Sequence, residues 1–412
     1  MNSTFSTWPS FTAEEAEAVA NVLLSNKVNY WTGEEGRAFE REFAAWCGVK
    51  YAIAVANGTV ALDLALTALG IGSRNGGNAT DEVVVTPRTF FASASCVVNA
   101  GAVPVFADVD QNSGNITAET IAAVLTSNTK SIIAVHLAGW PCDMEPIMNL
   151  AKEHRLKVIE DCAQAHGARY KGRSVGSFGD VAAWSFCQDK IMTTGGEGGM
   201  VTTKSRDLWS AMWSYKDHGK SWNAVYAHQH APGFRWLHEN FGTNWRMTEM
   251  QAAIGRLQLR RMTSWTTDRQ KNSLSIAEAL APFTKNGGPI RLPILTCNKC
   301  SVTSCDFGCV HANYKFYAYV VPQNLDPDWS RDRIVEEVNA RGVPCFQGSC
   351  SEVYLERAFD GTRWRPSARL PVAKELGENS IMLLVHPTLT SDEIEETATV
   401  LRNVLNQAQG KE

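Results

Sequence analysis

Seven short apolar runs punctuate the first half of the chain. YAIAVAN, EVVVTP, VPVFADV, SIIAVH, KVIEDC, VAAWSF and GMVTT are each rich in Val, Ile or aromatic residues and bounded by Gly, Asp, Asn or Pro. That pattern predicts short buried strands. Between most of them lie stretches of helical period, such as TVALDLALTAL, FFASASCVVNAG and TAETIAAVL. Strands apolar on both faces that alternate with helices belong to a sheet covered on both sides. The first three-fifths of the chain therefore predicts an α/β fold with a seven-stranded, mostly parallel sheet.

Before it, TAEE offers a capping box from Thr12 to Glu15 and predicts a leading helix. The alternation stops near residue 205. A long helix follows in RMTEMQAAIGRLQLRRM, where Met247, Met250, Ile254 and Leu257 share one apolar face. Beyond it, YKFYAYVVP, RDRIVEEVNARG, SIMLLVHP and SDEIEETATVLRNVL predict strand, helix, strand and helix. A length of 412 residues exceeds one small core. The division that follows is a large domain over 1–260 and a smaller α+β domain over 261–412.

Composition narrows the function. The chain is 44% hydrophobic and 20% charged with a net charge of −4, which suits a soluble enzyme and gives no electrostatic footprint for nucleic acid. No apolar run approaches the ~18 residues that a bilayer needs, and no leader pattern opens the sequence. The expectation is a cytoplasmic protein. Eleven cysteines, an odd number without a secretory signal, read as reduced thiols.

In open α/β sheets, ligands bind outside the carboxyl ends of the strands. Asn57-Gly58-Thr59 follows the first run and opens a helix, whose free N–H groups suit a phosphate. Asp161 and Gln164 follow the fifth run. Ser185 and Lys190 follow the sixth. A lysine for a Schiff base, an acid for a pyridine nitrogen and donors for a phosphate are what pyridoxal 5'-phosphate requires. Taken singly, each piece has an ordinary reading: a strand-to-helix turn, a helix cap, a surface amide, a solvated lysine. Their coincidence at one sheet edge carries the functional reading.

These residues also resemble a family. EDCAQAHGARYKGRSVGSFGDVAAWSF, DKIMTTGGEGGMVTT and GTNWRMTEMQAAIGRLQL look like the DegT/DnrJ/EryC1/StrS sugar aminotransferases, pyridoxal-phosphate enzymes of the aspartate aminotransferase fold, with the likeness running from about Asn29 to the C-terminal helix. The resemblance implies Lys190 as the Schiff-base lysine and proton carrier, with Asp161 at the pyridine nitrogen and Gln164 near the ring hydroxyl. It further implies Phe90 stacked on the ring, Asn57, Gly58, Thr59 and Ser185 around the phosphate, and Asn244 reaching that phosphate from a second subunit of a homodimer with shared sites. The implied reaction moves an amino group from an amino acid, glutamate, to a nucleotide-linked keto-deoxy sugar. Some relatives carry histidine in place of the lysine and dehydrate the sugar; Lys190 argues against that alternative.

Two features depart from the family pattern. KIMTTGGEGG has one residue more than usual between the lysine and Gly-Glu-Gly-Gly. Arg88 stands where an uncharged side chain is more usual, and admits either a surface ion pair or contact with an anionic substrate. His166 reads as packed or hydrogen-bonded behind the cofactor, while His218 and His311 could line the pocket. Finally, CNKCSVTSCDFGC places Cys297, Cys300, Cys305 and Cys309 at spacings shorter than paired zinc knuckles use, so free loop thiols are favoured over a zinc site or zinc-binding module, and no metal is assigned.

Overall fold

All seven apolar runs become strands of one sheet. In the computed structural model, which describes residues 5–228, 236–285, 287–293, 305, 307–349 and 351–409, they are β1 (Tyr51–Val55), β2 (Glu82–Val85), β3 (Val103–Phe106), β4 (Thr129–Val135), β5 (Lys157–Asp161), β6 (Val181–Ser185) and β7 (Gly199–Thr203). Their order across the sheet is β1-β7-β6-β5-β4-β2-β3. Neighbours from β3 to β6 pair parallel, whereas β7 runs antiparallel to both β6 and β1.

This topology decides where the chemistry can sit. The carboxyl ends of β1, β2, β4, β5 and β6 share one edge, because crossover helices return the chain to the opposite edge each time. The antiparallel step from β6 to β7 needs no crossover. Residues 186–198 therefore turn back at that same edge and bring Lys190 to it.

Side chains alternate between the faces with period two. Ile53, Val55, Val83, Val85, Ile159, Ala183 and Val201 pack in a core shared with Leu62, Leu66, Val97 and Trp213 from helices on one side. Ala52, Ala54, Ala182, Trp184 and Met200 pack with Phe39, Phe43 and Met262 on the other. Fully burying side chains of this size contributes roughly 1.5–3 kcal/mol each, so both faces of the sheet are covered for the same reason.

The capping box at Thr12 is present, with Glu15 Oε2 accepting from the Thr12 N–H at 2.9 Å. The long helix spans Glu249–Leu280, about 48 Å at the usual rise. Its Ala252, Leu259 and Met262 join the core of the large sheet, and its Ile276, Ala277 and Leu280 join a second core. That second core is built on a four-stranded antiparallel sheet, in the order Ile290–Arg291, Phe316–Val320, Ser380–Leu383, Cys345–Phe346. Helices Arg331–Ala340 and Ser391–Ala408 cover it. Residue 260 lies inside the long helix, so that helix belongs to both units.

Two expectations need correction. Met250, Ile254 and Leu257 are only half-buried; the buried side of the helix carries Ala252, Gly255, Leu259 and Met262. Small residues face inward because the ring of Phe39 lies there: a Cβ at Gly255 would come within 2.6 Å of it. The second correction concerns the cysteine cluster. Cys305 is disulfide-bonded, whereas Cys309 is a free thiol. The odd cysteine count describes the chain as a whole and says nothing of which thiols a loop brings together. An oxidised Cys305 cannot serve as a thiolate ligand. Cys297 and Cys300 lie outside the described residues. Among the described residues, no helix is long and apolar enough to cross a membrane.

Candidate active site

The helix Gly58–Ala68 begins where β1 ends. Asn57 is extended and its side chain accepts the Val60 N–H at 3.0 Å, an N-cap that leaves the first N–H groups of the helix facing the sheet edge. Gly58 is required by proximity: a Cβ there would lie 2.5 Å from the Ser185 Cβ at the end of β6. A Cβ at Gly199, where β7 starts, would lie 2.4 Å from the Asn57 carbonyl oxygen. Glycines thus let three strand ends interlock, and place Asn57, Gly58, Thr59 and Ser185 side by side.

Asp161 closes β5. Its Oδ2 accepts from the Ser93 hydroxyl at 2.7 Å, and its Oδ1 accepts from the Ala163 N–H at 3.1 Å. Ser93 in turn shares a hydroxyl contact of 2.7 Å with Thr89. Burial raises the Asp161 pKa above the usual carboxylate range, against the Ser93 and Ala163 hydrogen bonds and the more distant charge of Lys190. Gln164 accepts the Ala138 N–H at 2.8 Å, which fixes its amide and leaves the NH2 as the donor it can offer.

Lys190 is held by its backbone. Its N–H donates to Cys187 and its carbonyl accepts from the Trp8 indole at 2.8 Å. The ammonium lies 3.6 Å from Asp189 Oδ1 and 5.4 Å from the centre of the Tyr314 ring. The Tyr314 hydroxyl donates to Asp189 Oδ2 at 2.5 Å. Burial works to raise Asp189, yet the charge of Lys190 and the Tyr314 hydroxyl hold it below the ordinary value. Burial, with the charges of Arg269 and Lys190, lowers Lys315 to about 8.

The extra residue in KIMTTGGEGG is absorbed locally. Gly195 and Gly196 both take positive φ, a conformation glycine adopts without a Cβ penalty. Thr193 bonds the Phe186 carbonyl through its hydroxyl at 2.9 Å and receives the Gly196 N–H, so the loop closes on itself behind Lys190.

Together these groups line one cavity of about 520 Å³, which gathers Asn57, Gly58, Thr59, Phe90, Asp161, Gln164, Ser185 and Lys190. Asn244 is not among its lining residues; it lies exposed on the surface, its backbone bridged to Asp217. His218 is exposed and His311 is buried edge-on against Trp140, both outside the lining. His166 is fully buried between Trp184 and Phe186, and burial lowers its pKa to about 3, so it is a neutral packed ring. Arg88 is no surface residue: it is 2% exposed, and no described residue forms an ion pair with it.

Sequence reasoning missed Ser93, Asp189 and Tyr314. The four-residue spacing of Thr89 and Ser93 in TFFASAS was a usable sign that two hydroxyls could meet where the helix Ala92–Asn99 begins. Tyr314 had none, since it arrives from the distant segment that leads into the strand Phe316–Val320. Among the described residues, one group has ligand atoms close enough to hold a metal: His136, Glu160 and Cys162. Its donors are already engaged, because Glu160 accepts from the N–H groups of Gly176, Phe178 and Gly179 and pairs with His136.

Residues 9–402 match the DegT/DnrJ/EryC1/StrS aminotransferase family. The chain is 62% identical to an aminotransferase from Psychrobacter cryohalolentis of solved structure, with a TM-score of 0.93 over 98% of this chain and 99% of that one. It is 35% identical to the GDP-perosamine synthase of Caulobacter vibrioides, covering 91% of this chain and 92% of the relative. It is also 35% identical to the UDP-N-acetyl-3-dehydro-alpha-D-glucosamine 3-aminotransferase of Acidithiobacillus ferrooxidans, covering 93% and 92%.

Proposed function

As this chain belongs to the DegT/DnrJ/EryC1/StrS aminotransferase family, we propose that it moves an amino group from an amino acid, glutamate, to a nucleotide-linked keto-deoxy sugar, using pyridoxal 5'-phosphate. The observation that carries the proposal is the convergence of a capped helix start, a buried carboxylate and a lysine on one cavity. The names of the relatives differ in nucleotide, GDP in one and UDP in the other, so the proposal stops at the class of acceptor.

The residues fit the cofactor. Asp161 is a buried carboxylate that receives only neutral donors from the described residues, and a protonated ring nitrogen is the cationic partner that would offset its burial. Gly58, Thr59 and Ser185 would hold the phosphate at the helix start. Phe90, 68% exposed while lining the cavity, offers a ring face for stacking, and Gln164 an amide donor for the ring hydroxyl. When bound, the cofactor supplies an electron sink beside the transferred nitrogen. Lys190 would carry it covalently and, once displaced by an amine, take and return the proton at the reacting carbon.

Asn244 is exposed, so the chain's own cavity does not use it. We place it at the phosphate of a partner subunit in a homodimer. We also keep the division into a cofactor-binding unit over 1–260 and a smaller unit over 261–412, joined through the long helix.

Borohydride reduction in the presence of pyridoxal phosphate should fix one equivalent of cofactor on Lys190, located by peptide mass mapping. A label on another lysine, or none, would remove this function.

A further inference from the structure

Besides Arg88, two other cations are buried among the described residues, and each has partners within the chain. Lys216 is fully buried, with Asp217 at 3.6 Å and the Tyr30 ring face at 3.6 Å. Arg269 lies over Trp8 and donates Nη1 to the carbonyls of Asn313 and Tyr314 at 3.2 and 3.3 Å, while its Nε and Nη2 have no partner among the described residues.

Arg88 is different. It is 2% exposed, and its buried Nε and Nη1 have no hydrogen-bond partner among the described residues. Among the described residues its charge meets the Tyr319 ring, at 5.8 Å, and acts on the Tyr317 hydroxyl. A buried charge left in this condition is strongly destabilising unless a partner arrives.

Its position says what the charge is for. Arg88 follows β2, one residue before Thr89 and two before Phe90, both of which line the cavity. On the other side, the Pro87 carbonyl accepts the Val353 N–H at 2.9 Å, and Tyr319 belongs to the second sheet. The guanidinium therefore sits in the seam between the two sheets, on a residue that adjoins the cavity lining without being part of it. Gly114 packs close beside it: a Cβ there would lie 3.7 Å from Arg88 Nε and 3.1 Å from the Tyr319 hydroxyl.

We infer that Arg88 is a substrate-recognition residue that takes an oxyanion, carboxylate or phosphate, of a substrate entering the seam. The inference rests on the proposed function, in which both substrates are anionic: the donor carries carboxylates and the acceptor a nucleoside diphosphate. A planar fork of donors suits either group and gives a bidentate contact that an ammonium cannot copy.

The test uses cofactor-loaded, full-length protein and the variants Arg88→Met and Arg88→Lys. In one arm, L-glutamate is titrated without acceptor against the visible absorption of the bound cofactor. In the other, UDP, GDP and dTDP are titrated by calorimetry. Arg88→Met should weaken one of these ligands by about ten- to a hundred-fold, with Arg88→Lys in between. A shift confined to glutamate identifies a donor carboxylate, and one confined to nucleoside diphosphate identifies the phosphates. The thermal midpoint should hold or rise in Arg88→Met, because an uncompensated charge has been removed. Unchanged affinities in both arms would overturn the inference, most directly if the midpoint also fell, since Arg88 would then be framework. Should the wild-type protein load no pyridoxal phosphate, the proposed function fails, while the nucleotide arm still reads Arg88.

Discussion

Asp161 and Asp217 are both buried carboxylates, and the chain treats them in opposite ways. Asp217 receives Arg246 at 2.7 Å, Lys220 at 3.5 Å, Lys216 at 3.6 Å and the Trp31 indole N–H at 3.3 Å. Asp161 receives a hydroxyl and a backbone amide, and no cation within ion-pair distance among the described residues. Burying a carboxylate costs the same desolvation in either place. Where the chain itself supplies cations, the charge is framework. Where it supplies only neutral donors, the proposed function assigns the balancing charge to the cofactor.

The framework charge nevertheless serves the other site in the proposed dimer. Asp217 is bridged to Asn244, with Thr243 N–H to Tyr215 O at 2.7 Å and Trp245 N–H to Lys216 O at 3.0 Å beside it. The network therefore holds the segment that presents Asn244. Lys190→Ala should be inactive, and Asn244→Asp should repel the cofactor phosphate of a partner. Exchanging subunits between these two variants should restore about a quarter of wild-type activity, from the one intact site of each mixed dimer. This is the largest effect anticipated. Exchange confirmed by mass without recovery would show that each chain completes its own site.

Removing one partner of a buried charge network leaves the others uncompensated, which costs about 3–5 kcal/mol. Asp217→Asn should lose stability on that scale in urea unfolding. The variant that remains folded should still take the borohydride label on Lys190, because Asp217 does not line the cavity. A loss below about 1 kcal/mol, the worth of a surface pair, would dissolve the contrast between the two aspartates.

Much of this was legible in the sequence, for physical reasons. All seven strands announced themselves, because a strand buried on both faces must be apolar throughout. Asn57, Asp161, Ser185 and Lys190 could be grouped from the amino-acid sequence, because the ends of parallel strands share an edge by topology. Arg88 could not be placed, since its neighbours Tyr319 and Gly114 come from distant segments and burial is a property of the assembled chain. Tyr314 was hidden for the same reason. The apolar face of the long helix was misassigned because periodicity finds large residues, whereas Gly255 is dictated by the nearness of Phe39. Cys305 escaped because pairing depends on a loop path that spacing does not encode.

Asp161→Asn sharpens the comparison by reversing the sign. Turnover should fall by about two or more orders of magnitude, the scale of losing a group that acts mainly in the transition state; near-normal turnover would show that the carboxylate has another task. Stability should move the other way. Burial raises the Asp161 pKa in the folded protein, so between the ordinary carboxylate value and that raised value the unfolded chain has already lost its proton while the folded chain still holds it. Folding stability therefore declines as pH rises through this window, and the whole cost stands above it. The neutral amide carries no such cost. Cofactor-free Asp161→Asn should consequently unfold at a higher temperature than the cofactor-free wild type at neutral pH, and the advantage should vanish at acid pH where both states are protonated. Differential scanning calorimetry across that range reads it. A variant less stable than wild type at neutral pH, as Asp217→Asn should be, would place Asp161 among the framework charges and remove the reason for assigning its partner to the cofactor.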